Sequence, residues 1–327
     1  MSEQWTLPLQ FREFEASDYE RLAELYGSIF PDYTRTQNEW KHWDEMIDRS
    51  KYYFKRFTCL SRETGEILGF GQSQHAIEMF HPNKYWLDIW VDPRQQKKGV
   101  GNSIYERLNR DLAERGFITC WTGVREDMRD PIRFVEKRGF QEKRRAWESR
   151  IDPSKFDPSP FKDYTKRASS HGISMSTLSE EQKQDPECHS KLHEVVNSVS
   201  ADMPRSEPFT PIPYQQWMAQ ELKNPDLLPE GYMIAKDRNR YVGVSVVWRS
   251  ESDPQGLYQG NTGVTREYRG RGIAIALKLR VLDYAKNKGY ERVKTWNDST
   301  NAAMLGINMK LGFKRQVGWI TFEKNLA

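Results

Sequence analysis

Cysteine is scarce in this 327-residue chain: Cys59, Cys120 and Cys188 are odd in number, far apart and without metal-ligand spacing. A disulfide framework and a cysteine-based zinc site are therefore not expected, and a reducing cytoplasmic location is. No apolar run approaches the ~20 residues that a membrane-spanning helix needs. The opening residues, Met-Ser-Glu-Gln-Trp-Thr, hold neither a basic leader nor an apolar stretch, so neither export nor membrane insertion is expected. Charge of one sign is also missing. Lys and Arg number 50 against 46 Asp and Glu, a net charge of +4, and the basic residues are dispersed among acidic ones. Without a basic block, nucleic acid is not the expected partner. The six histidines offer one pair at helical spacing, His189 and His193, with no third ligand, so no metal is expected.

What the chain does hold is 37% apolar and 13% aromatic residues, enough for folded cores. Its length suits two of them. It also repeats itself: Val91 to Phe117 aligns without a gap on Val264 to Tyr290, at an offset of 173 residues. At that offset Gln96 falls on Arg269, Gly99 on Gly272, Gly101 on Ala274 and Gly116 on Gly289. Much later Gly139-Phe140 falls on Gly312-Phe313, so the whole pattern is an internal duplication.

Each copy reads as strand, basic glycine-containing loop, helix, strand, helix ending in Gly-Phe, and a last strand. Ile104, Leu108 and Leu112 in the first copy, and Ile273, Leu277, Val281 and Ala285 in the second, mark buried helical stripes. Gly116 and Gly289 then stop the helices at left-handed caps. Upstream, 57–62 and 67–72 predict one hairpin, and 232–235 with 241–248 predict another. The eleven tryptophans fall mostly on predicted strands and read as core. The stretch 151–172, with Pro153, Pro158 and Pro160, shows no sustained period and is read as the linker.

Gln96-Lys97-Lys98-Gly99-Val100-Gly101 and Arg269-Gly270-Arg271-Gly272-Ile273-Ala274 each follow a strand and open a helix. The first turn of a helix leaves N–H groups unpaired at a positive dipole end, and glycine lets an anion reach them. A pyrophosphate suits such a loop. Neither copy has the Gly-Lys-Ser/Thr ending of a nucleotide P-loop.

These motifs resemble the coenzyme A pyrophosphate loop of the GNAT acyltransferases. Asn301-x-x-Met304-x-x-x-Asn308-x-x-Leu311-Gly312-Phe313 resembles the second helix of that fold, and the tandem arrangement is similar to that of mycothiol synthase-like proteins. The resemblance implies an α/β fold of α+β mixed-sheet type, with two tandem acyltransferase domains at 1–152 and 172–327 joined by 153–171. It implies acetyl-CoA as co-substrate and transfer of its acyl group to a primary amine of a small molecule. By resemblance the backbone of Val264 and Thr265 pairs with the pantetheine arm, Arg269, Gly270, Arg271, Gly272, Ile273 and Ala274 cradle the pyrophosphate, and Asn301 meets the thiol end. Asn301 also reads as a plain helix cap. In the first copy Val91, Gln96, Gly99 and Gly101 hold the matching places.

Two family residues are missing. The glutamate position falls on Tyr258, and on Tyr85 in the first copy; the tyrosine position falls on Asn308, and on Val135. A thiol of pKa ~8.5 leaves near pH 7.5 at about 1.4 kcal/mol, whereas deprotonating an amine of pKa ~10.4 costs about 4 kcal/mol, so the base is the greater need. Tyr258 through water, Asp253, Glu251 and Asp88 are the candidates, and Asn308 stands in the tyrosine's place. The missing pair also leaves open an acyl-CoA-binding regulatory protein without chemistry. Because Met128, Pro131 and Val135 replace Asn301, Met304 and Asn308, the second copy is expected to be catalytic and the first structural.

Overall fold

A computed structural model of the chain describes residues 8–326, so the opening residues read above for a leader lie outside the described range. The first copy runs β1 (Leu9–Glu13), α1 (Tyr19–Ile29), α2 (Gln37–Glu45), β2 (Phe54–Ser61), β3 (Ile67–Gln74), β4 (Lys84–Val91), α3 (Val100–Ala113), β5 (Thr119–Arg125), α4 (Arg129–Glu136) and β6 (Gln141–Ile151). After α5 (Lys162–Ser170), the second runs β7 (Ile173–Thr177), α6 (Leu178–Gln184), α7 (Cys188–Ser200), α8 (Tyr214–Trp217), β8 (Leu227–Asp237), β9 (Arg240–Trp248) and β10 (Gly256–Val264). It ends with α9 (Ile273–Asn287), β11 (Arg292–Asp298), α10 (Ala302–Lys310) and β12 (Lys314–Asn325). Both hairpins form as the alternation predicts. Gly116 and Gly289 take φ of 63° and 79°, the left-handed caps that end α3 and the last turn after α9. No helix among the described residues is long and apolar enough to cross a membrane.

The chain divides into two compact units: one runs to Lys143 and takes in the residues from Ile320 onward, the other is Arg144–Trp319. Each unit is therefore completed by the last strand of the other copy. In the first, the strands are ordered β1-β2-β3-β4-β5 and then the end of β12; in the second, β6-β11-β10-β9-β8-β7. Trp121 Nε1 donates to Glu323 at 2.9 Å and Thr119 Oγ1 to Asn325 at 2.8 Å, tying β5 to the chain's final residues. In the second unit β6 runs antiparallel to β11, with Val293 opposite Ile151 and Asp298 opposite Ala146. The segment 153–171, expected as linker, holds α5 and buries Phe161 and Ala168 in the second unit's core.

In the second unit the stripe of α9, Ile273, Leu277, Val281 and Ala285, packs with Leu257, Val264 and Val293 on one face of the sheet. Leu192, Val195, Val196 and Val199 of α7 cover the other face against Val244 and Val246. Each such side chain contributes roughly 1.5–3 kcal/mol on full burial, so the sheet is fixed from both sides. That rigidity holds open a splay. The parallel pairing of β10 with β11 stops at Gln259 opposite Thr295, leaving Gly260 to Val264 to diverge. In the first unit β4 and β5 separate after Trp86 opposite Trp121.

Candidate active site

The two basic loops have nearly the same backbone. Gly99 and Gly272 are the N-caps of α3 and α9, at φ of 88° and 81°, and in neither helix does a side chain cap the first turn. The N–H groups of those turns are left for a ligand. Two residues earlier Gly270 has φ of 76°, and its counterpart Lys97 is forced to 62°. A non-glycine residue there costs roughly 1–2 kcal/mol, partly offset by glycine's greater freedom in the unfolded chain. Lys97→Gly is therefore expected to stabilise the protein by about 1 kcal/mol or less. The Lys97–Asp130 ion pair at 2.7 Å is mostly exposed and its loss changes little. A chemical denaturation midpoint that fell in this variant would contradict the strain.

The first residue of each loop motif turns inward instead of toward a ligand. Gln96 Nε2 donates to the Val91 carbonyl at 3.2 Å and Arg269 Nε to the Val264 carbonyl at 3.0 Å, the same five-residue brace. Arg269 and Arg266 also pair with Asp202. Arg271 folds back on the Glu267 carbonyl at 2.9 Å and over the Tyr268 ring. Ile273 is buried, Ala274 packs against the same core, and Gly101 lies beside Phe134 and Val91. The basic side chains of the second loop are thus engaged largely with the loop itself and with Asp202, while the first turn of α9 has no side-chain cap.

The copies differ at the splay. After β10 the buried Thr265 hydroxyl lies toward the Glu267 carboxylate and helps hold it below its usual range; on the β11 side Asn308 Nδ2 donates to Asn297 Oδ1 at 2.6 Å while Asn308 Oδ1, also buried, has no partner. A buried polar atom left unpaired costs about 1–3 kcal/mol, which a ligand can recover. At the same offsets the first copy has Asp92 and Val135. Asp92 accepts from Arg94 Nη2 at 2.8 Å and pairs with Arg21, bonds that hold its carboxyl well below the usual carboxylate range, and Val135 is core. β10 also carries a bulge between Gln259 and Thr262, where β4 pairs with β3 without interruption from Val91 to Trp86. A bulge takes backbone groups out of the ladder and re-aims them.

Val264 and Thr265 end β10 and lead into the loop, while Asn308 lies against Asn297 of β11, just past the point where the pairing of β10 and β11 stops. Asn301 Oδ1 accepts from Met304 N at 3.2 Å, so it caps α10. Tyr258 lies before the splay, opposite Lys294 and Trp248, and is 41% exposed, so it does not face the core. Asp253 is bound by Lys294 and Arg292; burial raises its pKa, but those two hydrogen bonds outweigh it and bring the carboxyl below its ordinary value. That makes it a weak base. His193 Nε2 lies 2.8 Å from the Ile212 carbonyl oxygen and 2.8 Å from Asn197, and His189 lies beside Gln182.

Two residues escaped the sequence reading. Tyr164 of α5 lies across the second loop: a Cβ on Gly272 would stand 3.3 Å from its ring and from its carbonyl oxygen, and Lys310 Nζ bonds its hydroxyl. Phe156, Phe161 and Tyr164 were the only signal that this proline-rich stretch packs. Lys278 of α9 is 1% exposed and bonds Gln259.

A six-stranded mixed sheet, splayed beside a glycine-capped helix and present twice, defines an acyl-CoA N-acyltransferase fold. The acetyltransferase (GNAT) family model matches residues 19–140 and 192–313, and the chain belongs to that family of N-acyltransferases, whose members use acetyl-CoA. Among curated proteins it is 27% identical over 138 residues to N-alpha-acetyltransferase 30 of Schizosaccharomyces pombe, covering 40% of this chain and 82% of that one. It is 27% identical over 100 residues to the ribosomal protein bS18-alanine N-acetyltransferase of Escherichia coli K12, covering 31% of this chain and 65% of that enzyme. A tandem GNAT protein from the clavulanic acid biosynthesis pathway superposes with a TM-score of 0.73 over 97% of this chain and 98% of its own, at 16% identity. A GCN5-related N-acetyltransferase from Sphaerobacter thermophilus does so at 0.71 over 99% and 96%, also at 16% identity. These two share the fold.

Proposed function

We propose that the chain transfers the acyl group of acetyl-CoA to a primary amine, and that the second copy is its catalytic half. The observation that carries this is the unmet, buried Asn308 Oδ1 beside a bulged splay whose adjoining helix has an uncapped first turn. The N–H groups of Gly272, Ile273 and Ala274 would hold the pyrophosphate. The backbone of Val264 and Thr265 would hold the pantetheine arm, and Asn308 would stand near the thiol end. Bound there, the thioester supplies an activated carbonyl. The amine nitrogen forms the new C–N bond, the C–S bond breaks to release the thiolate, and the amine's proton passes to solvent.

With Tyr258 where the family has glutamate, an amine already neutral near pH 7.5 is the favoured acceptor. An α-amino group, pKa ~7.7–8.0, costs well under 1 kcal/mol to deprotonate there, against about 4 kcal/mol for a lysine-like amine. A relative named as an N-alpha-acetyltransferase favours the same class, and a small-molecule amine of low pKa meets the same requirement. Calorimetry with acetyl-CoA followed by thiol release over small amines and short peptides tests the reading. Micromolar binding, and turnover that rises as acceptor pKa falls toward 8, are expected. No measurable affinity for acetyl-CoA, or no thiol release with any amine, would refute it.

A further inference from the structure

The two basic loops differ in what holds them. In the second unit Asp202, two residues past the end of α7, reaches the loop that leads into α9. Arg266 Nε stands 2.9 and 3.0 Å from its two carboxylate oxygens, and Arg269 Nη2 bonds the same group. The two arginine side chains are 77% and 48% exposed, so solvent reaches both guanidiniums, whereas Asp202 is mostly covered, at 15%. At the offset of 173 the first copy has Pro93 and Gln96 in place of the two arginines, so it has no charge at those places for a carboxylate to hold.

Asp202 stands at the start of the segment 201–213, which joins α7 to α8, carries Pro204, Pro208, Pro211 and Pro213, and forms no helix or strand. This segment leaves α7 beside the splay. A Cβ on Gly263 would come within 2.6 Å of Val199, and Asn261 Nδ2, in the bulge of β10, reaches Ser200 Oγ at 3.4 Å. Arg205 then folds back on the carbonyls of Ser200 and Met203, with its guanidinium 4.7 Å from the Phe209 ring. One carboxylate thus ties the segment to the guanidiniums of the loop. Carboxylate and phosphate offer a guanidinium the same paired oxygens, so the two compete for it. Ion pairs with a solvent-exposed partner are weak enough to be exchanged.

We propose that Asp202 is an internal competitor for the phosphate groups of acyl-CoA: in the ligand-free chain it clasps the second loop to the segment 201–213, and the phosphates release that segment by taking Arg266 and Arg269 from it. The inference rests on the reading of the second copy as the acyl-CoA site and adds a contact that cofactor binding breaks. The phosphates carry more charge than one carboxylate and meet the first-turn N–H groups of α9 at the same time, so they win the exchange. By linkage, the factor by which the clasp weakens cofactor binding is the factor by which the cofactor loosens the clasp.

Calorimetry with acetyl-CoA and limited trypsin digestion of the full chain, wild type and Asp202→Asn, test it together. The variant is expected to bind acetyl-CoA at least about fivefold tighter, since it no longer holds the arginines by charge. Trypsin cleavage after Arg205 is expected to be slow in the ligand-free wild type, at least about fivefold faster with saturating acetyl-CoA, and fast in the variant with or without it. Asn keeps the shape of Asp; should Asp202→Asn fail to fold, Asp202→Ala replaces it, and digestion of the wild type reads the clasp without any variant. Equal or weaker binding by the variant would overturn the proposal. So would wild-type cleavage at Arg205 that acetyl-CoA leaves unchanged. A tighter variant cleaved at the wild-type rate would overturn it too, since the gain would then be a charge effect without a clasp. Absence of acetyl-CoA binding by wild type and variant alike would instead remove the acyl-CoA reading itself, and the proposal with it.

Discussion

Gly272→Glu is expected to lower kcat/KM for acyl transfer about 100-fold or more, and Gly99→Glu to leave it within about threefold. Both glycines cap helices at positive φ, 81° and 88°, so each substitution introduces a similar backbone strain. The matched pair therefore cancels the backbone strain; a Cβ on Gly272 also presses on Tyr164 at 3.3 Å where one on Gly99 meets nothing, so the electrostatic effect is the loss in Gly272→Glu beyond that in Gly272→Ala, which carries the same Cβ alone. A carboxylate in the second loop would sit where the pyrophosphate meets the first-turn N–H groups of α9, taking their hydrogen bonds and repelling the phosphate charge. Charge-assisted bonds of this kind are worth roughly 1.5–3 kcal/mol each, so losing one or two already accounts for the expected factor. In the first loop the same carboxylate stands beside a splay whose flanking groups are an ion-paired Asp92 and a core Val135. Steady-state thiol release by both variants, with circular dichroism to confirm folding, makes the comparison. Turnover abolished by Gly99→Glu and spared by Gly272→Glu would place the active half in the other copy.

The sequence made the repeat, the hairpins, the helix caps and the loop legible because each rests on local rules: a glycine where φ is positive, a stripe every three or four residues, alternation in a strand. The strand exchange was invisible to those rules. β6 and β12 each follow a Gly-Phe helix end in the same pattern, and which sheet a last strand joins is decided by tertiary packing, as by Trp121 donating to Glu323. The bulge at Gln259 to Thr262 was hidden for a related reason: it is a register property of two strands, and Gly260 alone does not announce it. At the site, Gly272 and Val264 fell where the pattern put them. Arg269 and Arg271, given a place in the pyrophosphate cradle by the family resemblance, here donate to the Val264 and Glu267 carbonyls, since a guanidinium satisfies a nearby carbonyl as readily as an anion.

Lys278 shows most sharply what composition conceals, and replacing it should stabilise the protein. A lysine is ordinarily read as surface, yet this one flanks the α9 stripe, is buried, lies 4.9 Å from the Phe313 ring and donates to Gln259 Oε1. Burial lowers its pKa from 10.5 to about 7. Between those values the unfolded chain holds a proton that the folded one has released, so stability rises with pH from about 7 to about 10.5, and the full penalty is felt below 7. At 1.36 kcal/mol per pH unit that penalty is on the order of 4 kcal/mol near neutrality. Lys278→Met removes it and keeps the stem's packing, at the cost of leaving Gln259 Oε1 without a donor, about 1–3 kcal/mol. The variant should therefore be more stable than the wild type by roughly 2 kcal/mol at pH 7, with the advantage vanishing or reversing by pH 10. What the lysine supplies in return is direction. Its donor fixes the Gln259 carbonyl, so the amide N–H must face Ser245 Oγ at 2.9 Å, and Ser245 Oγ in turn shares a hydrogen bond with Thr262 Oγ1 at 2.8 Å, beside the bulge. Urea denaturation of both proteins at pH 6, 8 and 10 decides the matter, for a stability difference that stays constant across that range would mean that Lys278 folds with its charge already compensated.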